Sequence, residues 1–120
     1  MIIDTTYLLP LAKIAVDTDL LEAVAKGRAS LKFEEIAVSL ISIFELQAKA
    51  ARLSIQAEFV AKAVEAILKS FRVIPFYKTE VIELSYQVRK LVPDYIDCVI
   101  VATAVAIKED LVTEDSLILA

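Results

Sequence analysis

Short runs of β-branched and apolar residues alternate with helical segments along the whole of this 120-residue chain. The runs lie at residues 1–4, 36–40, 72–76 and 111–113. Between them the apolar residues recur with the spacing of amphipathic helices. Strands that alternate with helices indicate a parallel sheet with helices packed on both of its faces. The sequence therefore predicts an α/β domain.

The positions of the helices follow from apolar spacing and capping patterns. Asp19 with Glu22 resembles a capping box, and Gly27 stands where a left-handed residue ends a helix. Ser42 and Glu45 have the S-x-x-E spacing of a helix start. The other helices are predicted at 6–14, 54–71, 79–92 and 93–108. The last of these is apolar nearly all round, so we expect it to be central.

Composition excludes several kinds of chemistry. A single glycine cannot build the glycine-rich loops that bind nucleotide phosphates. Because the chain contains no histidine, it has no Ser-His or Cys-His nucleophile pair and no His-ligated zinc. The one cysteine, Cys98, excludes thiolate cages and intramolecular disulfides and is interpreted as a small core residue. The side chains left for catalysis are mostly carboxylates.

Charge and hydropathy bear on partners and location. The longest uncharged runs, Ile36 to Phe44 and Cys98 to Ile107, are shorter than the roughly 18 residues of a membrane span. The amino-terminal segment lacks a signal-peptide pattern, so we expect a cytoplasmic protein. The net charge of −4 argues against a strongly basic nucleic-acid surface.

Four acidic residues are expected at one edge of the sheet. Asp4 ends the first strand and Glu45 lies in the helix after the second. Asp97 lies in the first turn of the central helix, and Asp115 follows the fourth strand. Ligands of parallel sheets bind outside the carboxyl ends of the strands. Because clustered carboxylates repel one another unless cations neutralise them, this pattern predicts a site for a hard divalent ion, Mg²⁺ or Mn²⁺.

The ordered set of segments around these acids resembles the PIN domain family of metal-dependent nucleases. The segments are Ile2-Ile3-Asp4-Thr5-Thr6, Ser42-x-x-Glu45-Leu46, the run from Asp97 to Ala104, and Leu111-Val112-Thr113-Glu114-Asp115. The resemblance implies one PIN-like domain over residues 1–120. We predict a three-layer α/β/α sandwich with a parallel sheet in the order 3-2-1-4. The family usually continues into a fifth strand after the fourth acid, where this sequence ends at Ala120, so the prediction is four strands with a fifth left open.

The resemblance also implies a function. Asp4, Glu45, Asp97 and Asp115 match the family's acidic quartet, as catalytic and metal-binding residues, and Thr6 matches a hydroxyl residue near the first aspartate. The implied activity is a Mg²⁺- or Mn²⁺-dependent endoribonuclease that leaves 5′-phosphate and 3′-hydroxyl ends. The small size resembles the toxins of VapBC toxin–antitoxin pairs, which implies an RNA substrate and an antitoxin partner. The high apolar fraction, 58%, leads us to expect a homodimer.

Other interpretations of the same residues remain. Asp4 and Asp94 are common helix caps, and a capping box with Ser42 would explain Glu45. Without the quartet acids the chain carries 13 acidic and 13 basic residues. The candidate contacts for an RNA strand are Arg72, Lys78, Arg89 and Lys90. The alternative functions are a catalytically silent PIN-like protein-interaction module and a phosphoacceptor receiver domain. The second would need paired acids after the first strand and a lysine after the last.

Overall fold

The structure, a computed structural model, describes residues 1–16, 19–27 and 32–113. The strands are β1 (Ile2–Ile3), β2 (Ala37–Ser39), β3 (Arg72–Ile74) and β4 (Leu111–Val112). The α-helices are α1 (Leu20–Ala25), α2 (Leu40–Arg52), α3 (Ala57–Ser70), α4 (Thr79–Val88) and α5 (Tyr95–Ile107). Two 3₁₀ helices span Thr5–Ala12 and Phe33–Glu35. None of the helices in these ranges is both long and apolar enough to span a bilayer.

All strand pairs of the sheet are parallel, and their order is β3-β2-β1-β4. Ile2 is aligned with Ala37 of β2 and with Leu111 of β4, and Ser39 is aligned with Ile74. The predicted parallel sheet and its strand order are therefore confirmed. The fifth strand, which was left open, would fall within 114–120, outside the described residues.

Alternate residues of the two central strands pack on opposite faces of the sheet. Ile3 and Val38 pack with the first 3₁₀ helix, α2 and α3 in the larger core cluster. Ile2 and Ala37 pack with Ala104 of α5 in a second cluster. Successive side chains of a strand point to opposite faces, so covering both faces requires apolar residues at every position. This is why the paired positions Ile2, Ile3, Ala37 and Val38 are all apolar rather than alternating with polar residues.

Helix α5 lies between the sheet and α4, as its apolar sequence predicts. Ala104 packs towards the sheet, whereas Val99 and Ala102 pack with Val81 of α4. Six of its residues, from Cys98 to Ala104, are buried. A fully buried aliphatic side chain such as Val99 contributes roughly 1.5 to 3 kcal/mol to stability. The small alanines allow the close packing that this central position requires.

The segment after β1 differs from the prediction. An α-helix was expected over 6–14 with Pro10 in or near its first turn, but Thr5–Ala12 is a 3₁₀ helix with Pro10 as its sixth residue. Proline has no amide hydrogen and its ring crowds the carbonyl four residues earlier, which disfavours a regular α-helix. The segment ends at Lys13, whose φ of 67° is left-handed. It still buries apolar side chains, including Leu8.

Other helix boundaries differ by a few residues. Helix α4 ends at Val88 rather than at 92, because the amides of Lys90 and Leu91 donate to carbonyls three residues earlier and so form tight turns. The capping residues of α1 are confirmed, since the Asp19 side chain accepts a hydrogen bond from the Glu22 amide and Gly27 has a φ of +72°.

Candidate metal centre

The candidate site lies at the carboxyl edge, the edge of the sheet where the four parallel strands end. Asp4 directly follows β1, and α2 begins at the end of β2. Helix α5, of 13 residues, is about 20 Å long. Its last residue is joined to the start of β4 by residues 108–110, at the opposite amino edge. Its first turn, which carries Asp97, therefore lies towards the carboxyl edge.

Asp4 is a buried carboxylate, only 6% exposed. One of its oxygens accepts a hydrogen bond from the Thr6 amide at 3.1 Å, so Asp4 is the N-cap of the first 3₁₀ helix. The other oxygen accepts a hydrogen bond from the Thr113 hydroxyl. An ionised carboxylate has about four lone-pair sites, so these two bonds leave acceptor capacity for a further ligand. The capping role of Asp4 is therefore compatible with metal binding.

Glu45 does not have the capping role that its sequence context indicated. Helix α2 begins at Leu40, and its N-cap is Ser39, whose side chain accepts a hydrogen bond from the Ile41 amide at 3.3 Å. Ser42 is thus the third helical residue and Glu45 the sixth. A capping-box glutamate must be the third, so the Ser42–Glu45 capping box is wrong. Half-buried Glu45 forms no hydrogen bond or ion pair with another described residue.

Asp94 and Asp97 both lie at the start of α5, but only Asp94 caps the helix. The carboxylate of Asp94 accepts hydrogen bonds from the amides of Ile96 and Asp97, at 2.8 and 3.2 Å. Asp94 is therefore the helix cap, as the sequence indicated. Asp97 is half-buried and lies in the first turn, where the helix dipole favours a negative charge. Because Asp94 already caps the helix, Asp97 is not needed for that purpose.

The structure brings these acids to one edge but not into a single closed cluster. Within residues 1–16, 19–27 and 32–113, no three acidic, cysteine or histidine side chains converge closely enough to hold a metal ion. Asp115, the fourth predicted ligand, lies outside the described residues.

The donor set fits a hard divalent cation. A buried carboxylate without a compensating positive charge is costly, and none of the ion pairs among the described residues includes Asp4. The residues that hydrogen-bond with it, Thr6 and Thr113, have only hydroxyl oxygens to offer from their side chains. Glu45, at the same edge, offers a carboxylate. Mg²⁺ and Mn²⁺ prefer oxygen, and these residues could hold such an ion together with Asp97.

The family assignment follows from comparison of the whole chain. The PIN domain family matches residues 1–119. The chain belongs to the PIN domain family. PIN domains are generally nucleases and typically use divalent metal ions. Comparison with curated proteins gives no match.

A solved structure supports the same fold. A chain of a toxin–antitoxin complex from Klebsiella pneumoniae is similar to this PIN domain with a TM-score of 0.66. The two share 22% sequence identity, and the similarity covers 96% of this chain and 86% of that one. The similarity therefore extends over nearly the whole α/β/α architecture.

The sequence interpretation missed the contact of Thr113 with Asp4. A signal for it was available, because β4 neighbours β1 with Ile3 aligned to Val112. Asp4 and Thr113 are the next residues on these two strands, and adjacent parallel strands place such residues close together. Thr6, which the family resemblance had singled out, contributes its backbone amide to Asp4.

Two further predictions concern residues outside the carboxyl edge. Arg72 was a candidate contact for RNA, but it begins β3 at the amino edge and donates hydrogen bonds to both carboxylate oxygens of Glu109. Arg72 therefore lies at the opposite edge of the sheet from Asp4 and the other acids of the carboxyl edge. Cys98 is a core residue, as expected. Burial raises the pKa of its thiol, and the thiol donates a hydrogen bond to the Val92 carbonyl.

Proposed function

We propose that this PIN domain is a Mg²⁺- or Mn²⁺-dependent endoribonuclease, the toxin of a VapBC-type toxin–antitoxin pair. The observation that carries the proposal is the buried carboxylate of Asp4. It retains acceptor capacity, lacks a cationic partner among the described residues, and stands at the edge that Glu45 and Asp97 approach from neighbouring helices. A nuclease family and an oxygen-only donor set make metal-assisted hydrolysis of phosphodiesters the chemistry that fits this site.

The residues of the chain have distinct roles in this proposal. Asp4, Glu45, Asp97 and Asp115 would hold the ion, and Thr6 and Thr113 would fix the Asp4 carboxylate through their hydrogen bonds. A bound divalent ion would supply the Lewis acidity that activates water and stabilises charge on the phosphate oxygens. Carboxylates approach one another closely only when a cation offsets their repulsion, so we expect the side chains to draw together on metal binding.

Partners are part of the same proposal. The similar Klebsiella pneumoniae chain belongs to a toxin–antitoxin complex, which supports an antitoxin partner for this chain. RNA would be the substrate and the cytoplasm the place of action. Large apolar side chains are exposed at Phe44, Leu53 and Leu68, which favours a homodimer. Sedimentation at micromolar concentration should therefore detect a dimer.

The second candidate function is a catalytically silent interaction module, which the same exposed apolar side chains favour. Metal binding separates the two functions, and Glu45 is the residue to test because capping no longer explains it. We expect Glu45→Gln to weaken Mn²⁺ binding in a calorimetric titration and to lower RNA cleavage by orders of magnitude, with little change in thermal stability without metal. Removing one carboxylate relieves repulsion in the absence of the ion.

The matched control is Glu65→Gln, the same change at an exposed position of α3. It should leave Mn²⁺ affinity and cleavage as in the wild type. If Glu45→Gln and the wild type bind Mn²⁺ equally, Glu45 is not a ligand. If the folded wild type, free of antitoxin, cleaves no RNA with either metal, the interaction module is the better description.

A further inference from the structure

An exposed pair of tyrosine rings stands at the corner between α4 and α5. The ring centroids of Tyr86 and Tyr95 are 6.0 Å apart, and the ring planes are inclined at 81°. Tyr86 is 67% exposed and Tyr95 45% exposed. An edge-to-face pair uses one ring edge and one ring face, so the outer faces of the rings remain accessible. Large aromatic surfaces of this kind are stable platforms for stacking of nucleic-acid bases.

Two cations lie on the connection between these tyrosines. Arg89 and Lys90 follow α4 directly, and both are exposed. Arg89 is close enough to Cys98 of α5 to oppose the raised pKa of the thiol, which places it beside the first turns of that helix. Of the nearby acids, Asp94 accepts two backbone hydrogen bonds as the α5 cap, while Glu83 is exposed on α4. Residues 87–93 of the connection therefore carry two cations and no acid, and the acidic Asp94 follows them, in a chain of net charge −4.

The corner adjoins the candidate metal centre without forming part of it. Tyr95 is the first residue of α5 and Asp97 the third, so their Cα atoms differ by about 3 Å along the helix axis. Two helical residues are about 200° apart around that axis. The ring of Tyr95 and the carboxylate of Asp97 thus leave the helix on different sides. An RNA strand that reaches both must pass around the start of the helix, which is about 10 to 12 Å across. The tyrosines would therefore contact nucleotides that flank the cleaved bond rather than the bond itself.

We propose that Tyr86, Tyr95, Arg89 and Lys90 form a platform that binds single-stranded RNA flanking the cleavage site. The rings stack on bases, and the two cations contact phosphates. The platform rests on the proposed ribonuclease function and adds to it the means by which an acidic chain retains a polyanion. Stacking accepts every base, so the platform provides affinity and register rather than sequence selection.

Charge complementarity favours RNA over a protein partner at this corner. Each cation that meets a phosphate releases counterions, which yields affinity for nucleic acid and a strong dependence on salt. Leu91, which is 87% exposed and lies between the cations and Tyr95, would also suit a protein contact. The test below therefore measures self-association together with RNA binding.

The experiment is fluorescence anisotropy of a labelled single-stranded RNA 12-mer in EDTA, so that binding is measured without cleavage. Tyr86→Ala and Tyr95→Ala should each weaken binding about five-fold or more, because stacking contributes roughly that much per base. Tyr86→Phe and Tyr95→Phe keep the rings and should restore wild-type affinity. Arg89→Ala with Lys90→Ala should lower the slope of log affinity against log salt by about 1.4.

The matched control is Lys62→Ala with Lys69→Ala, which removes the same charge from exposed positions of α3. It should leave the salt slope and RNA affinity close to those of the wild type. Mn²⁺ affinity should stay unchanged in the tyrosine variants, which separates the platform from the metal centre.

Three results would overturn the platform. If the tyrosine and Arg89–Lys90 variants bind RNA as the wild type does, the platform is wrong while the ribonuclease proposal stands. If the same variants lose self-association in sedimentation but keep RNA affinity, the corner is a protein interface. If the wild type neither binds nor cleaves RNA with Mg²⁺ or Mn²⁺, both proposals fail together.

Discussion

The two edges of the sheet both carry carboxylates, but they differ in whether the described residues supply a positive partner. At the amino edge, the Arg72 guanidinium donates hydrogen bonds at 2.7 and 2.6 Å to the two carboxylate oxygens of Glu109. The amino group of Met1 also pairs with Glu109. These partners, with Arg72 as the largest influence, lower the pKa of Glu109 to about 2. The carboxylate at this edge is therefore neutralised by the chain itself.

At the carboxyl edge, the carboxylates of Asp4 and Glu45 form no ion pair with another described residue. Asp4 is nevertheless more buried than Glu109. Burial of a charge is tolerated when a counter-charge compensates it, and here none of residues 1–16, 19–27 and 32–113 provides one. The difference shows how to separate structural acids from functional ones. By this criterion Glu109 is a structural carboxylate, and Asp4 and Glu45 are the candidates for ligand binding.

The largest expected effect is a loss of RNA cleavage when one carboxylate of the carboxyl edge is neutralised, compared with the same change at the amino edge. We expect Asp4→Asn to lower RNA cleavage by more than the roughly 10- to 100-fold that outer-shell changes cause at metal sites. Asparagine keeps an oxygen to accept the Thr6 amide hydrogen bond, so the fold should persist. Glu109→Gln, at the amino edge, should leave cleavage as in the wild type. Equal losses of cleavage in both variants would contradict the division between the edges.

An intermediate effect is expected on the free energy of unfolding, which should respond differently to alanine substitution at two serines near the carboxyl edge. Ser39 caps α2, so Ser39→Ala should lower the free energy of unfolding by roughly 0.5 to 2 kcal/mol. The buried hydroxyl of Ser42 has no hydrogen-bond partner among the described residues. Ser42→Ala should therefore leave stability unchanged or raise it by about 1 kcal/mol. Urea unfolding of the two variants measures both, and a loss of 1 kcal/mol or more in Ser42→Ala would restore a structural role for that hydroxyl.

The smallest effect should be the dependence of stability on pH at the amino edge. The pKa of Glu109 is lowered from its ordinary value of 4.5 to about 2 in the folded chain. Its contribution is therefore complete above pH 4.5 and is lost as the pH falls towards 2. Because the pair is partly exposed, we expect about 1 kcal/mol or less at pH 7. The stability difference between wild type and Glu109→Gln should shrink across that window, and a constant difference would indicate another cause.

The fold could be predicted from the sequence because the apolar runs of its strands and the apolar spacing of its helices are both local patterns. Runs such as Ile36 to Leu40 and the all-apolar surface of α5 fix which segments are strands, which are helices and which helix is central. The exact helix starts could not be predicted, because Ser39 and Ser42 are both acceptable caps. The choice between them depends on where β2 ends, which sheet pairing decides.

The position of Asp4 at the carboxyl edge could be predicted in the same way, since Asp4 directly follows β1. Its surroundings could not, because hydrogen bonds between distant residues depend on side-chain placement. The contact from Thr113 to Asp4 spans 109 positions of the chain. The pairing of Arg72 with Glu109 was missed for the same reason, which is why Arg72 is among the candidate RNA contacts of the sequence analysis.

The strands of this sheet are only two or three residues long, so a change of register by one residue would affect most of each strand. A slip of β1 by one position would exchange the faces to which Ile2 and Ile3 point. The same slip would draw Asp4 into the ladder or push it beyond the hydroxyl of Thr113. Because the strands are so short, a misaligned chain would lose its core packing and the position of Asp4, the first of the proposed metal ligands, together. The proposed nuclease activity therefore depends on correct strand alignment as much as on the acids themselves.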